Sequence, residues 1–409
     1  MVGEIVFHLG DSKTGSTSIQ QTLVAQAWTG ASKTLLYNAR VNHIPLAHTI
    51  NRPKDKPFAK KRWTALRSDL ERSDADIAVV SAEGFEFSDP DEFAEMVRQY
   101  LGEWQGRIRF ITYLRPHAER VVSTYAERSK QGLFLGRLEE MHERLLDSGL
   151  LMYAPRIARW KAQWGDAYTV RPMIRSELRG GDVVEDFLNF VFHGDPVKPQ
   201  AVAGANESLT AADLAALRAI HATFPKQARM RDAQKTLGWN LAQLISALPR
   251  PKNTEKPQLH RSLAETLVKA YRDDAAEVDR LYFEGSPLSK SLEAAPGKAR
   301  ETVQPIDAAS YFGPDALRLI EGLGQLLVRM IAAAPDTMST AMRPKQLRAK
   351  NWDPDGKRKA KGAVAKKKSG KRKAGEVTQT PSTGVVAQVA RRLPKGLRRK
   401  LSPLRRHLS

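Results

Sequence analysis

Residues 6–20 read VFHLGDSKTGSTSIQ, and they carry the strongest structural signal in the chain. An apolar run leads into a loop of Gly, Ser and Thr around one lysine, and the loop leads into a segment of helical periodicity. A strand, a glycine-containing loop and a helix N-terminus together form a cradle for anions, because backbone N–H groups and the helix dipole point at the ligand. The pattern therefore predicts an anion site near the N-terminus.

The lysine of this loop has an unusual position. The loop motif of ATP and GTP enzymes is G-x-x-x-x-G-K-[ST], in which Lys follows the second Gly. Here Lys13 precedes Gly15. We expect Gly15 to permit close approach of a phosphate to the backbone and Lys13 to supply a mobile cation. The alternative is a Gly/Ser turn that only caps a helix.

The apolar pattern of the chain predicts an α/β fold. Runs that are typical of buried strands occupy residues 4–9, 76–81, 108–114 and 168–173. Segments with helical periodicity lie between them, which predicts a parallel β-sheet flanked by helices on both faces. From about residue 204 the pattern is richer in helix, with Thr210 as a helix N-cap and a long helix over residues 261–283.

A second motif follows the strand predicted at 108–114. It consists of Arg115, Pro116 at the favoured first position of a helix, and Ser123 about two helical turns later. An arginine at the carboxyl end of a parallel strand points into the crevice where α/β sheets bind ligands. We expect Arg115 and Ser123 to bind a second phosphate. The alternative is that Arg115 pairs with Glu119 or Glu83 and that Ser123 is an ordinary helical serine.

The acidic residues near these loops bear on the question of a metal. A Mg²⁺-dependent kinase or nucleotide hydrolase places an acid at the end of a neighbouring strand to hold the metal. Glu83 is the one acid near such a position, and the other strand end carries Arg115. This composition favours a ligand that bears two separate phosphate groups, bound without a metal.

The two motifs together resemble those of sulfotransferases that use 3′-phosphoadenosine 5′-phosphosulfate, with the greatest likeness to bacterial members that act on carbohydrates. The family's loop reads K-T-G-T-T, and here residues 13–17 read KTGST. About 100 residues later comes the second motif, a strand followed by L-R-P-x7-S and a helix. The likeness extends over about residues 1–290 and implies a parallel β-sheet of the P-loop type.

The resemblance implies a role for each matched position. Lys13 would stabilise charge on the bridging oxygen as the bond to sulfur breaks, and Arg115 with Ser123 would bind the 3′-phosphate. The loop amides and hydroxyls would hold the 5′-phosphosulfate. The implied donor-binding residues are Ser12, Lys13, Thr14, Gly15, Ser16, Thr17, Ser18, Arg115 and Ser123.

The acceptor hydroxyl needs a general base, and the sequence offers more than one. His43 lies where bacterial members of the family often have a histidine before Leu-Ala. The family usually has two adjacent histidines at this place, whereas this chain has Asn42 followed by His43. His48 is an alternative to His43. Glu83, at a predicted strand end, is the other candidate. The catalytic residues predicted from the sequence are therefore Lys13 with His43 or Glu83.

The basic residues are concentrated at the C-terminus. Residues 343–409 hold 22 Lys and Arg against 3 Asp and Glu, a net charge of +19, whereas residues 1–342 hold 44 against 42. We expect a sulfotransferase-like domain over 1–342, a disordered basic linker over 343–384, and a basic segment of amphipathic character over 385–409. This tail is a solubilising appendage, a nucleic-acid contact or, as we favour slightly, a contact with anionic membrane.

The composition sets further expectations. The chain has no cysteine, which excludes disulfides and thiolate metal sites. No secretory leader or apolar run of about 20 residues is visible, so we expect a cytoplasmic protein, with its tail at the inner membrane face.

The first hypothesis from the sequence is a sulfotransferase acting on a hydroxyl of a saccharide or glycolipid, with no metal. The second is a Mg²⁺-dependent nucleotide kinase with a variant loop, in which Glu83 holds the metal. The third is a non-enzymatic nucleotide or anion binder that is docked by its basic tail.

Overall fold

Within residues 1–202, 209–250, 252 and 254–342, which the computed structural model describes, the chain forms seven strands. They are β1 (Glu4–Gly10), β2 (Trp28–Thr29), β3 (Leu35–Leu36), β4 (Ile77–Ser81), β5 (Ile108–Leu114), β6 (Tyr168–Pro172) and β7 (Lys198–Pro199). Five of these form one parallel sheet in the order β3-β4-β1-β5-β6, and β2 pairs with β7 antiparallel. The predicted parallel sheet is confirmed.

The α-helices of the described residues lie between and after the strands. They are α1 (Ser16–Ala25), α2 (Ile44–Asn51), α3 (Ala59–Glu71), α4 (Pro90–Leu101), α5 (His117–Lys130), α6 (Leu138–Asp147), α7 (Tyr153–Trp164), α8 (Val183–Val191), α9 (Ala211–Ala222), α10 (Arg231–Ser246), α11 (Arg261–Tyr282), α12 (Pro287–Glu293), α13 (Ala295–Lys298), α14 (Pro314–Ala333) and α15 (Pro335–Met342).

Both faces of the sheet are covered by helices, and the strand sequences show why. Successive side chains of a strand point to opposite faces. In β1, Phe7 belongs to a large core that also holds residues of α4 and α7, whereas its neighbour Val6 belongs to a second core with residues of α1 and α8. The continuous apolar runs of the central strands therefore fit a sheet that is buried on both sides.

A third, smaller core lies among the later helices. Residues of α9, α10, α14 and α15 pack together around Phe224, Leu237 and Ile331. The predicted helix-rich region after about residue 204 is confirmed for the residues that the structure describes. Thr210 caps α9, where its hydroxyl accepts from the Asp213 amide at 3.0 Å.

The predicted boundaries agree with the structure within one residue for β1, β4, β5 and β6. The sequence missed the two-residue strands β2, β3 and β7. The predictions for the tail, residues 343–384 and 385–409, lie outside the described residues. None of the described helices is both long and apolar enough to cross a lipid bilayer.

Candidate functional site

The sheet topology brings the two predicted motifs together. The chain leaves β1 toward the β4 side of the sheet and leaves β5 toward the β6 side, although β1 and β5 are neighbours. Such a reversal opens a crevice at the carboxyl ends of the two strands, where α/β proteins bind ligands. The loop at residues 11–15 follows β1, and Arg115 follows β5. An Arg115 NH1 group donates to the carbonyl oxygen of Lys13 at 2.8 Å.

The loop presents backbone amides at the start of α1. Gly15 is the N-cap in a left-handed conformation, with φ of 82°, and no side chain caps the helix. The first bond into the helix runs from the Ile19 amide to the Gly15 carbonyl. Among the described residues, the amides of residues 13–18 have no acceptor. An anion at this helix terminus would satisfy several of them.

Gly15 is required here for space as well as for conformation. A Cβ atom at this position would lie 2.6 Å from Cγ1 of Val183, at the start of α8. The turn that leads into α1 therefore packs against α8 without a gap. Lys13 also has a positive φ, of 68°, so the loop takes its shape from two residues in the left-handed region.

The predicted hydroxyl groups fall into two sets. The Ser12 amide and hydroxyl both donate to a carboxylate oxygen of Glu86, at 2.9 and 2.7 Å. The Thr14 and Ser16 hydroxyls donate to the Asp11 carbonyl, at 2.6 and 3.2 Å. These three side chains hold the loop together, whereas the side chains of Thr17 and Ser18 are exposed at the first turn of α1. The hydroxyl groups of Thr17 and Ser18 are therefore the ones in this loop that remain open to a ligand.

A buried ionic cluster, whose residues form no recognisable motif in the sequence, lies next to the loop. Arg156 of α7 makes two hydrogen bonds to the Asp11 carboxylate, at 2.8 and 2.6 Å. Arg120 of α5 donates to Glu86 at 2.6 Å and also to the Ser12 carbonyl. Burial raises the pKa of Asp11, and Arg156 opposes that rise. The cluster holds two acids and two arginines, so its charges balance.

Lys13 reaches across the crevice to α5. Its ammonium group lies 3.0 Å from a carboxylate oxygen of Glu127, which also pairs with Lys130 at 2.6 Å. Burial alone would raise the pKa of Glu127, but Lys13 and Lys130 together lower it to about 2. Glu127 lies one turn after Ser123 on the same face of α5. This spacing is the sequence signal that could have placed Glu127 near the crevice.

Arg115 and Ser123 are brought together as predicted, over a long contact of 3.4 Å between NH1 and Oγ. The alternative partner is also present, since Nε of Arg115 lies 3.3 Å from the Glu119 carboxylate. About a third of the Arg115 side chain is exposed, at 31%. The guanidinium therefore belongs to the crevice and is open to a ligand on one side.

The two candidate bases have different surroundings. His43 is fully buried; its Nδ1 accepts from the Ser81 amide at 3.2 Å, and its Nε2 lies 2.7 Å from Oδ1 of Asn38. Burial lowers the pKa of His43 to about 3, so the ring is neutral. The ring stays in the core between α2 and the sheet, where both nitrogens already have partners.

Glu83 lies at the crevice. It follows β4, and its backbone and Cβ line the space beside Gly10, where an added Cβ would be 3.1 Å from Cα of Glu83. Burial raises the pKa of Glu83, and the charge of Lys13 opposes the rise. Within the part of the chain that the structure describes, no hydrogen bond or ion pair holds the Glu83 carboxylate. His48, the other alternative, has its pKa lowered to about 4 by burial.

A cleft of about 350 Å³ opens beside the first turn of α1. It is lined by residues of α1, of the start of α8 and of the segment after β7, namely Ser18, Gln21, Thr22, Asp182, Val184, Pro199, Gln200, Ala201 and Val202. Its volume is within the range of small-molecule sites in proteins. Ser18 lines the cleft and also belongs to the first turn of α1, at the edge of the predicted anion site.

The site thus combines free amides, two cations and one carboxylate without a partner at the ends of three adjacent strands. Within the described residues, no group of three or more His, Asp or Glu side chains is arranged to hold a metal ion. In comparisons with known proteins, no family model, no curated protein and no solved structure matches this chain.

Proposed function

We propose that the protein is a sulfotransferase that moves a sulfuryl group from 3′-phosphoadenosine 5′-phosphosulfate to a hydroxyl of a saccharide or glycolipid. The observation that carries the proposal is the hydrogen bond from Arg115 to the Lys13 carbonyl, at 2.8 Å. It joins the two anion motifs in one crevice, as a donor with two separate phosphate groups requires. On this proposal the fold is of the P-loop type.

The donor set fits such a ligand. The amides of residues 13–18 have no acceptor among the described residues and would hold the phosphosulfate end. Arg115, partly exposed and next to Ser123, would hold the 3′-phosphate. The bound nucleotide would supply an activated sulfuryl group, and the protein would supply position and charge.

The reaction breaks the bond between sulfur and the bridging oxygen and forms a bond between sulfur and the acceptor oxygen. Lys13 would stabilise the negative charge that the bridging oxygen gains. To do so, its ammonium group would exchange the Glu127 carboxylate, 3.0 Å away, for the ligand. The side chain is 34% exposed, which leaves room for that exchange.

Glu83 is the general base in this mechanism. It would accept the proton of the acceptor hydroxyl, because it lies beside the loop and its carboxylate has no partner in the described part of the chain. The raised pKa of Glu83 makes it a stronger base than an ordinary carboxylate. His43 is not proposed as the base, since both of its ring nitrogens are engaged in the core.

The test is transfer of labelled sulfate from the donor to lipid and polysaccharide extracts, by the full-length protein. Lys13→Met should lower the rate roughly 100- to 1,000-fold, the usual cost of removing a group that stabilises transition-state charge. Lys33→Met, at an exposed lysine away from the crevice, is the matched control and should retain the rate.

The contradicting result is Mg²⁺-dependent transfer of phosphate from ATP with no sulfate transfer to any extract. That result would assign the chain to the kinases, with Glu83 at the metal. Nucleotide binding without transfer of either group would support a binding protein.

A further inference from the structure

Helix α14 has an apolar stripe that faces solvent. Leu319, Leu323, Leu326 and Met330 are 70%, 45%, 54% and 46% exposed. Their spacing places them on one side of the helix over about three turns. Isolated exposed leucines are ordinary, but a continuous row of four on one helix is an interaction surface.

This stripe is a second apolar face, separate from the one that holds α14 in the fold. The packed face includes Gly324 and Ile331, which are buried in the core that α14 shares with α9. A Cβ atom at Gly324 would lie 2.8 Å from the Thr223 hydroxyl oxygen, so the two helices are in close contact. The fold of the described residues therefore does not need the exposed stripe.

Two arginines border the stripe. Arg318 and Arg329 are exposed and are about three turns apart on the same side of α14, whose exposed residues also include the acids Asp315 and Glu321. An apolar stripe with basic residues along its border is typical of helices that lie in the plane of a membrane interface, where long basic side chains reach the headgroups.

The charge of the chain distinguishes between possible occupants of this surface. Residue 343, which begins the segment of net charge +19, directly follows α15, and α15 packs against α14. A second copy bound through the stripe would add another segment of +19, and the like charges would repel. An anionic lipid surface would attract the same charge.

We propose that the exposed stripe of α14 is a membrane-docking surface for anionic bilayers. Its leucines and methionine enter the interface and Arg318 and Arg329 reach the anionic headgroups, while the net positive charge of the chain, +21, favours an anionic surface. Stable attachment usually takes two such signals, because one weak apolar or electrostatic contact alone is readily reversible. Attachment through α14 does not depend on which reaction the protein catalyses.

The test measures binding of the full-length protein to vesicles by cosedimentation. Vesicles of phosphatidylcholine alone are compared with vesicles containing one-third phosphatidylglycerol, at low and at high ionic strength. The variant combines Leu319→Ser, Leu323→Ser and Leu326→Ser. Its control combines Leu146→Ser and Leu281→Ser, at leucines of similar exposure on other helices.

We expect the parent protein and the control to bind anionic vesicles and the α14 variant to bind at least about tenfold more weakly. Equal binding of the variant and the parent would overturn the proposal, because the tail alone would then account for attachment. The proposal would also be overturned if the parent protein sediments as a dimer and does not bind vesicles, while the α14 variant is a monomer.

A fluorescence experiment tests insertion of the stripe directly, without a variant that weakens binding to vesicles. The chain contains no cysteine, so Leu323→Cys provides a single attachment point for an environment-sensitive fluorophore. The emission should shift to shorter wavelength on addition of anionic vesicles, and the same label at Leu146→Cys should not shift. An unchanged spectrum at position 323, with protein bound to the vesicles, would refute insertion of the stripe.

Discussion

At the scale of single residues, the site depends on which charges are already paired. Lys13 is held by Glu127 and Arg115 by Glu119, so both cations have carboxylate partners that an anionic ligand would replace. Glu83 differs, because no side chain of the described residues pairs with it. This contrast, and not proximity alone, separates the residues that would bind the donor from the one that would accept a proton.

Replacement of Glu83 tests this assignment through stability as well as activity. The pKa of Glu83 in the fold is raised above its ordinary value of 4.5, so the ionised form is disfavoured there. The fold therefore loses stability as the pH rises through that raised pKa. Glu83→Gln should be more stable than the parent at pH 7, and thermal melts should show the difference vanishing in acid.

The same variant should lose turnover, by roughly 100- to 10,000-fold, as is usual for removal of a general base. Glu92→Gln, at an exposed carboxylate on α4, is the control for loss of a charge. If Glu83→Gln is less stable than the parent at pH 7 and fully active, Glu83 has a structural role instead.

His43 has the opposite dependence on pH. Its pKa in the fold is lowered from 6.5 to about 3 by burial, and that of His8 is lowered similarly. Protons therefore bind the unfolded chain more readily, and stability falls as the pH drops from about 6.5 toward 3. His43→Gln should reduce this fall in thermal melts between pH 7 and pH 5, while retaining turnover. Unchanged pH dependence together with lost turnover would indicate a catalytic histidine.

At the scale of elements, the loop after β1 is positioned by arginine side chains of α5 and α7. Arg120 joins Glu86 to the Ser12 carbonyl, and Arg156 binds Asp11. Together with the side-chain hydrogen bonds of Ser12, Thr14 and Ser16, these contacts fix the course of the chain from β1 into α1. The amides at the start of α1 face the crevice because hydrogen bonds and ion pairs fix the preceding residues, Asp11 and Ser12.

Removal of one arginine from this cluster should therefore be costly. Arg120→Met leaves the buried Glu86 carboxylate without its closest cation, and such losses typically cost about 3–5 kcal/mol of unfolding free energy. Denaturant unfolding measures this, with Arg67→Met, at an exposed pair with Glu71, expected to cost less than about 1 kcal/mol. A cost below about 1 kcal/mol for Arg120→Met would mean that the cluster does not hold the loop.

The sequence predicted some elements well for a physical reason. Strands β1 and β5 are buried on both faces, so their sequences are continuous apolar runs that are visible without a structure. The edge strand β3 spans only Leu35–Leu36, which is too short to have a pattern. The ionic cluster could not be predicted either, because Asp11, Glu86, Arg120 and Arg156 look like surface charges until the fold buries them.

At the scale of the whole molecule, the topology explains why distant motifs form one site. The order β3-β4-β1-β5-β6 makes β1 and β5 neighbours, although about 100 residues separate them in the chain. The sequence predicted the crevice residues Lys13 and Arg115 because they follow recognisable strands, and Ser123 because it lies two helical turns after Arg115. It did not distinguish His43 from Glu83, because burial and hydrogen bonding depend on the folded chain.

Calorimetry with two nucleotides that differ only in the 3′-phosphate measures whether Arg115 binds that group. Adenosine 3′,5′-bisphosphate should bind the full-length protein roughly 10- to 100-fold more tightly than adenosine 5′-monophosphate, the usual value of a charge-assisted contact. Arg115→Ala should abolish that ratio, and Arg98→Ala, at an exposed arginine on α4, should preserve it. Equal affinity of the parent protein for both nucleotides, or an unchanged ratio in Arg115→Ala, would mean that Arg115 does not bind a 3′-phosphate and that the proposed donor is wrong.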